Sequence, residues 1–363
     1  MPRLSGNIGE WSEIYTFLYL LAYGRLYAAD SGLEKNNSIY YDILKIIREE
    51  GIGKLEFSVD SDQSLIHVIN SQTHYEYAAI PMIDFKRQAR SLFFEMSAKT
   101  QPAFYVPEVE DFLDCLHIET LKARNTDKAD IRIKIHDIKT GFDMIQGFSI
   151  KSQLGSPSTL VNASGATNFR YKISGALSNE DIQRFNNCRR FDDKFSVLRN
   201  AKCSLLFDSM ENETFECNLL LIDSYLPQIC TYLLLNYYVE GKTLVTEALH
   251  LLEKRNPLGY NLSRGHHYYE YKFKKFLSES ALGMLPSKPW NGLADATGGY
   301  IIVKENGDVV CYHLFNHNEF EQYLLNNTKF ETASTSRHGF GKILRDSSGC
   351  LYLVLNLQIR FIK

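Results

Sequence analysis

At 363 residues, with 44% hydrophobic and 13% aromatic side chains, the chain carries enough apolar material for one large or two ordinary folded domains, which excludes a disordered protein. A formal net charge of -3 argues against a nonspecific coat on nucleic acid, which relies on Lys and Arg to neutralise phosphates, and it leaves room for a locally basic cleft. Seven cysteines with no CxxC pair exclude the common zinc spacings and read as reduced thiols of a cytoplasmic protein.

Taken in order, the opening MPRLSGNIGEWSE lacks a basic segment followed by an apolar core, so secretion is not expected. Trp11, Ile14, Tyr15, Leu18, Leu21 and Ala22 recur at three- and four-residue spacing and predict a helix over 10–29. Glu10 and Glu13 lie on neighbouring positions of that helix. They suit either a helix N-terminus, where the dipole favours acids, or a metal site. A second helix is expected over 39–50, stopping at Gly51, followed by strands over 54–59, 64–70 and 75–80 and by helices over 83–98 and 108–116. Lys86, Arg87 and Arg90 form the polar side of the 83–98 helix, either solvated or set against a phosphate backbone.

A polar connection then leads to Asp130. The run 130–135 alternates polar with apolar, Lys139-Thr140-Gly141 makes a turn, and 146–153 alternates again, so 130–153 reads as a β-hairpin. Its Asp130 and Lys151 can face one cleft. Phosphodiester hydrolysis needs carboxylates to hold a hard cation and a group that positions or deprotonates water. Asp130, Lys151 and the main-chain carbonyl of Ile150 supply some of these parts. Ser149 carries no charge, so a second acid has to arrive through the fold from Glu10, Glu13, Asp137 or Asp143. On spacing alone, a plain amphipathic hairpin explains the pattern equally well.

After Gln153 the composition shifts to Ser, Thr and Asn over 156–168, a run that either satisfies its own turns or contacts phosphates and base edges. A strand at 169–173, helices at 179–187 and 194–200, and β-like or buried segments at 204–207 and 214–222 follow. Leu219 to Val239 is strongly apolar but is interrupted by Asp223, Pro227, Gln228 and Asn236, so a buried helix is expected rather than a membrane span. Helical patterns cover 228–254 and 268–282. Adjacent His266 and His267 point different ways and are too few for a zinc site. Asn306-Gly307 closes a hairpin of 300–304 with 309–313; a helix over 319–325, the polar stretch 334–342 and terminal strands complete the chain. The expected boundary lies near residue 180. No P-loop, G-x-S-x-G, HExxH or G-x-G-x-x-G is present.

Three blocks carry a resemblance over nearly the whole length: GNIGEWSEIYTFLYLLAYGRLYAAD, GFSIKSQLGSPSTLVNASGATNFRY, and ADATGGYIIVKENGDVVCYHLFNHNEFEQYLLNNTKF with its continuation to NLQIRF. The chain resembles the HpaII family of type II restriction endonucleases. That resemblance implies an α/β (α+β mixed) fold with a PD-(D/E)XK-like core, a mixed central sheet flanked by helices, and a further helical and β-rich elaboration. In domain terms this is a nuclease core over 1–180 and a part contributing to DNA binding and dimerisation over 181–363. It implies Mg²⁺-dependent double-strand cleavage of DNA at a short palindrome, CCGG for the family's namesake. It also implies a homodimer on that site, or a monomer that cuts its strands in succession, a cognate DNA methyltransferase as genetic partner, and no membrane.

By the same resemblance Asp130 is the primary metal ligand and Lys151 orients or activates water, with Ser149 and Gln153 near the metal. Glu10 is the slightly preferred second acid, then Glu13, and Asp143 is the reserve for the aspartate itself, lying on the same hairpin nearer the Ser149–Lys151 triplet. Base readout at a G·C site falls to Arg337 and His338, and to Asn162, Ser164 and Asn168. Two rivals remain: a non-catalytic DNA-binding protein on a nuclease fold, motivated by Ser149, and a mismatch- or structure-directed endonuclease.

Overall fold

The computed structural model describes residues 4–99, 101–122 and 129–362, so residues 123–128 of the connection before Asp130 lie outside it. The chain divides into two compact units, Met1–Ser158 with Ala294–Tyr323, and Thr159–Leu293 with Leu324–Ile362. The sequence-based break near 180 falls inside the second unit.

The first unit begins with α1 (Ile8–Tyr23), whose start is fixed by a reciprocal capping box between Asn7 and Glu10. The helix predicted to reach Ala29 ends six residues earlier. Gly24 takes the left-handed conformation at φ 65° and caps it, and β1 (Arg25–Ala29) follows. The helix predicted over 39–50 is instead part of β2 (Lys35–Glu50), a long strand. A bulge between Ile43 and Lys45 switches the buried parity from Tyr41 and Ile43 to Ile46, Arg48 and Glu50. That switch counterfeits three-residue spacing in the sequence. Strands β3 (Gly53–Asp60), β4 (Leu65–Asn70) and β5 (Glu76–Pro81) and helices α2 (Met82–Ala98) and α3 (Pro107–Cys115) match their sequence patterns. So does the hairpin of β6 (Ile131–Asp137) with β7 (Phe142–Ser152).

The second unit starts with β8 (Thr159–Val161) and β9 (Asn168–Ser174), then α4 (Asn179–Asn187), α5 (Phe191–Asn200) and β10 (Ser204–Met210). The ambiguous 214–222 segment is helical, as α6 (Glu213–Ile222). The helix expected over 228–254 is two, α7 (Leu226–Tyr238) and α8 (Val245–Arg255), separated by a turn in which Gly241 has φ 68°. Helix α9 (Tyr268–Leu282) completes the helical layer. No single helix among the described residues is long and apolar enough to cross a membrane; α6 and α7 are bent by 108° at their junction.

The chain then re-enters the first unit as β11 (Gly299–Val303) and β12 (Val309–His313), and α10 (His317–Asn326) runs to the division between the units. The second unit finishes with β13 (Thr328–Phe330), α11 (Thr335–His338), β14 (Ile343–Arg345), β15 (Leu351–Asn356) and β16 (Ile359–Phe361).

The sheet of the first unit has nine strands in the order β1-β12-β11-β7-β6-β2-β3-β4-β5. Because β1 also pairs with the N-terminal half of β2, six of the strands close a ring. The sheet is mixed: β1 runs parallel to β12 and β11 parallel to β7, and the other pairs are antiparallel. It is therefore a mixed α/β arrangement, as expected. Trp11, Phe17, Leu18 and Leu21 of α1 pack with Ile133, Ile135, Phe148 and Ile150 of the hairpin in one core. In the second unit, antiparallel sheets β10-β9-β15-β14 and β13-β16-β8 accompany α6 to α9. The Tyr171 hydroxyl donates to the Thr231 carbonyl at 2.9 Å and ties β9 to α7.

Candidate active site

Alternation along β7 sends Phe148 and Ile150 into the core and places Ser149 and Lys151 together on the opposite face. The ladder pairs Ile131 with Phe148, so Asp130, one residue before β6, sits across from Ser149, and its N–H donates to the Phe148 carbonyl at 2.9 Å. Asp130 Oδ2 accepts from Ser149 Oγ at 3.0 Å and from the Ile150 N–H at 2.7 Å. Lys151 Nζ donates to the same Ser149 Oγ at 2.9 Å. Ser149 thus relays between the acid and the amine instead of standing in for a carboxylate. Parallel pairing sets Tyr300 of β11 beside Ser149, and Lys151 Nζ lies 5.0 Å from the centre of the Tyr300 ring.

The second acid of this cluster is Glu13. Burial and then repulsion from Asp130 push its carboxyl up to about 8, with Lys122 and Arg48 acting in the opposite direction. The Lys151 ammonium is held below the usual lysine range by burial, against the pull of Asp130 and Glu13. Two carboxylates and a destabilised ammonium therefore share one enclosed place, the combination that marks chemistry more often than scaffold.

Glu10 is occupied elsewhere. Its Oε2 accepts from the Asn7 N–H at 2.9 Å, completing the helix cap, and its Oε1 lies 3.5 Å from Lys122 Nζ. Asp143 pairs across the hairpin with His136 at 2.8 Å and Lys134 at 3.0 Å. It stands six residues from Ser149, about 20 Å along the strand, so the fold does not bring it to the cluster. Asp137 accepts from the Lys139 N–H and the Thr140 hydroxyl and shapes the hairpin turn. The Gln153 side-chain carbonyl accepts from the Glu305 N–H at 3.4 Å, linking the end of β7 to the β11–β12 turn.

Sequence reasoning missed the support behind the cluster. Arg48 and Glu50, two apart on one face of β2, form a buried pair at 2.9 Å. Arg48 also donates to the Thr120 carbonyl at 2.8 Å, and Glu50 accepts from the Glu119 N–H at 3.2 Å, so the pair anchors the segment that leads toward Asp130. An Arg-x-Glu on an apolar strand was the available signal, hidden by the helical reading of 39–50. Tyr300 had no local signal, since its place depends on pairing across some 150 positions of chain. Beside Lys151 a cavity of about 590 Å³ is lined by Asn7, Lys99, Gln101, Ser152, Ser156 and Ser158 among others, only part of which the serine-rich run foretold.

The proposed base readers separate into two groups. Asn168 is 2% exposed; its amide donates to Glu211 Oε2 at 2.8 Å and to the His338 carbonyl at 3.0 Å, and its Oδ1 accepts from Asn356 at 2.7 Å. Ser164 caps a short 3₁₀ turn at 165–167 and lends its carbonyl to Asn356. Asn162 and Arg337 are exposed, and His338 is half-buried at the end of α11. His267 pairs with Glu253 at 3.2 Å and His266 packs beside Tyr268, so these histidines share no site. All seven cysteines are free.

Comparison with known proteins identifies the family. Residues 7–361 match the sequence model of the HpaII restriction endonuclease. Among curated proteins, the type II restriction enzyme HpaII of Haemophilus parainfluenzae is 42% identical over 360 residues, covering 99% of each chain. No solved structure matches. With a full-length family match and an acid–lysine cluster on its central sheet, the chain belongs to the HpaII restriction endonuclease family and is a type II restriction endonuclease, a site-specific deoxyribonuclease of a restriction-modification system.

Proposed function

We propose that the enzyme cuts both strands of DNA at a short GC-rich palindrome, CCGG, in a Mg²⁺-dependent reaction of the PD-(D/E)XK type, with Asp130, Glu13 and Lys151 as its working groups. The observation that carries this reading is the convergence of Glu13 from α1 with Asp130 and Lys151 from the hairpin, their side chains perturbed in opposite senses by burial. A raised Glu13 beside a second carboxylate is a site short of positive charge, and its donors are hard oxygens. Mg²⁺ is commonly held by one or two carboxylates with substrate phosphate and water completing its shell, so the donor set fits. Glu13, Asp130 and the Ile150 carbonyl would hold it. When bound, it supplies charge neutralisation at the phosphoryl oxygens.

The chain's own residues do the rest. Ser149 fixes Asp130 and Lys151 relative to each other. Lys151, its ammonium destabilised by burial, orients the attacking water and can take its proton at Nζ. The cavity beside it places Lys99 and the 152–158 serines where a strand's phosphates can lie. Within this reading Glu13 replaces Glu10 as the second acid, because Glu10 is committed to its own helix cap, and Asp143 and Gln153 have no part in holding the cation. Arg337 and Asn162, exposed on the second unit, are the base-reading candidates, with His338 beside Arg337; Asn168 and Ser164 hold the loop that carries them. The nuclease function belongs to the first unit and readout to the second. A palindromic site suits a two-fold dimer, and work in a restriction-modification system suits a cytoplasmic setting beside a cognate methyltransferase.

The test is to digest plasmid DNA with and without Mg²⁺ and sequence the new ends. Discrete fragments, all broken within CCGG and only with the metal, are expected. Ends at unrelated sequences would overturn the assigned site, and cutting in excess chelator would overturn the metal assignment.

A further inference from the structure

On the far side of α1 from Glu13, the first unit holds a larger cavity of about 790 Å³. Glu13 and Tyr15 are two residues apart, about 200° round the helix, so the cavity and the catalytic cluster lie on different faces of α1. Its wall is a row of tyrosines at one-turn intervals, Tyr15, Tyr19 and Tyr23, continued by Tyr27 of β1 and faced by Phe93 and Phe94 of α2. The Tyr19 and Tyr23 rings are 4.5 Å apart, and Tyr23 and Phe94 are 42% and 71% exposed, so aromatic side chains stand exposed at the rim.

The charge along this row is graded. Lys86 Nζ sits 5.0 Å over Tyr23 and Lys35 Nζ 3.9 Å over Tyr27, with Arg90 lining the same wall. Among the described residues no carboxylate pairs with any of these three cations, whereas Arg25, also in the wall, is committed to Asp42 at 3.0 Å. At the other end Asp308 lies near Tyr15 and Tyr19, held by Asn306 Nδ2 at 3.1 Å on the β11–β12 turn. From Tyr15 to Tyr23 is eight residues, about 12 Å of helix. Unpaired cations beside aromatic rings suit a phosphate joined to a base, because bases of any sequence stack on aromatic side chains. A carboxylate at the opposite end accepts from an exocyclic amino group and disfavours a carbonyl there.

We propose that this cavity is a second nucleotide site, separate from the catalytic cleft. It takes a nucleoside 5′-phosphate with an amino-bearing base, phosphate toward Lys86, Lys35 and Arg90 and base toward Asp308. Such a nucleotide exists free or at the 5′ end of a DNA strand. The chemistry recognised is the same.

The test is titration calorimetry on the full chain in chelator, with dCMP, dTMP, deoxycytidine and inorganic phosphate as probes. One dCMP bound per chain is expected, with deoxycytidine, phosphate and dTMP each weaker by severalfold or more. Lys86→Ala/Arg90→Ala should abolish binding while plasmid cutting is unchanged, and Asp308→Asn should erase the preference over dTMP. Competition by a 5′-phosphorylated oligonucleotide identifies a strand end as the source; its failure to compete identifies the free nucleotide. No dCMP binding at millimolar concentration overturns the proposal. So does binding that survives Lys86→Ala/Arg90→Ala, or that is lost with Lys151→Ala, which would locate the nucleotide in the catalytic cleft. Neither result bears on whether Mg²⁺ supports cutting at CCGG.

Discussion

Two polar stretches almost adjacent in the sequence, 130–153 and 156–168, end in opposite conditions. Around the β6–β7 hairpin, Asp130, Ser149 and Lys151 converge with Glu13, and burial holds the Glu13 carboxyl and the Lys151 ammonium away from their ordinary protonation. In the second stretch, Ser164, Thr167 and Asn168 consume their hydrogen-bonding capacity among themselves and with Asn356, Glu211 and the His338 carbonyl, leaving Asn356 Oδ1 as the exception. The first was the candidate for hydrolysis and the second for contacts to DNA. A buried polar cluster with strained charge suits chemistry, and one whose hydrogen bonds are matched holds a loop.

Mutations can break that contrast. Lys151→Ala should lower the cleavage rate on the order of 10²–10⁴-fold, the range for a positioned proton-transfer group, while gel-shift affinity for the duplex is kept; unchanged cutting would return the hairpin to scaffold. Next in size, Arg48→Ala leaves Glu50 buried without its partner and should destabilise the protein by about 3–5 kcal/mol in urea unfolding. A small loss would mean that the pair is not what anchors the segment before Asp130.

For the second stretch, Asn168→Ala removes bonds to Glu211, His338 and Asn356, and should cost about 1–3 kcal/mol of stability with the cleavage site unchanged. Relaxed specificity at full stability would instead make Asn168 a base reader. The finest test is pH. Glu13 sits at about 8 in the folded chain against an ordinary value of 4.5, so the folded state holds the proton more tightly. Its contribution to stability is complete below 4.5 and is lost as pH rises to about 8, at no more than about 1.4 kcal/mol per pH unit. In metal-free protein Glu13→Gln should flatten that loss, and Mg²⁺ affinity of the unmutated protein should rise with pH over the same window. A slope that survives Glu13→Gln would assign the strained carboxyl to another residue.

Much of the secondary structure was legible because local pattern and burial agree. The strands β3 to β7, the Asn306-Gly307 hairpin and helices such as α2, α4 and α9 follow their periodicity. Where a bulge changes parity, as at Ile43 to Lys45, the same rule misreads a strand as a helix, because a phase shift of one in a period of two resembles a period of three.

The sequence by itself determined the family and the hairpin, and it set Asp130 and Lys151 where they can face one cleft, since register and alternation are properties of neighbouring residues. Only the tertiary structure decided which acid joins them. Glu10 and Glu13 lie on adjacent positions of one helix and differ by less than a turn. The helix cap claims the first, and the packing of α1 leaves the second desolvated within electrostatic reach of Asp130. The same packing decided that the serine- and asparagine-rich run holds its own loop, because hydrogen-bond capacity is divided among whatever partners the fold delivers, and Glu211, His338 and Asn356 come from 43 to 188 residues away.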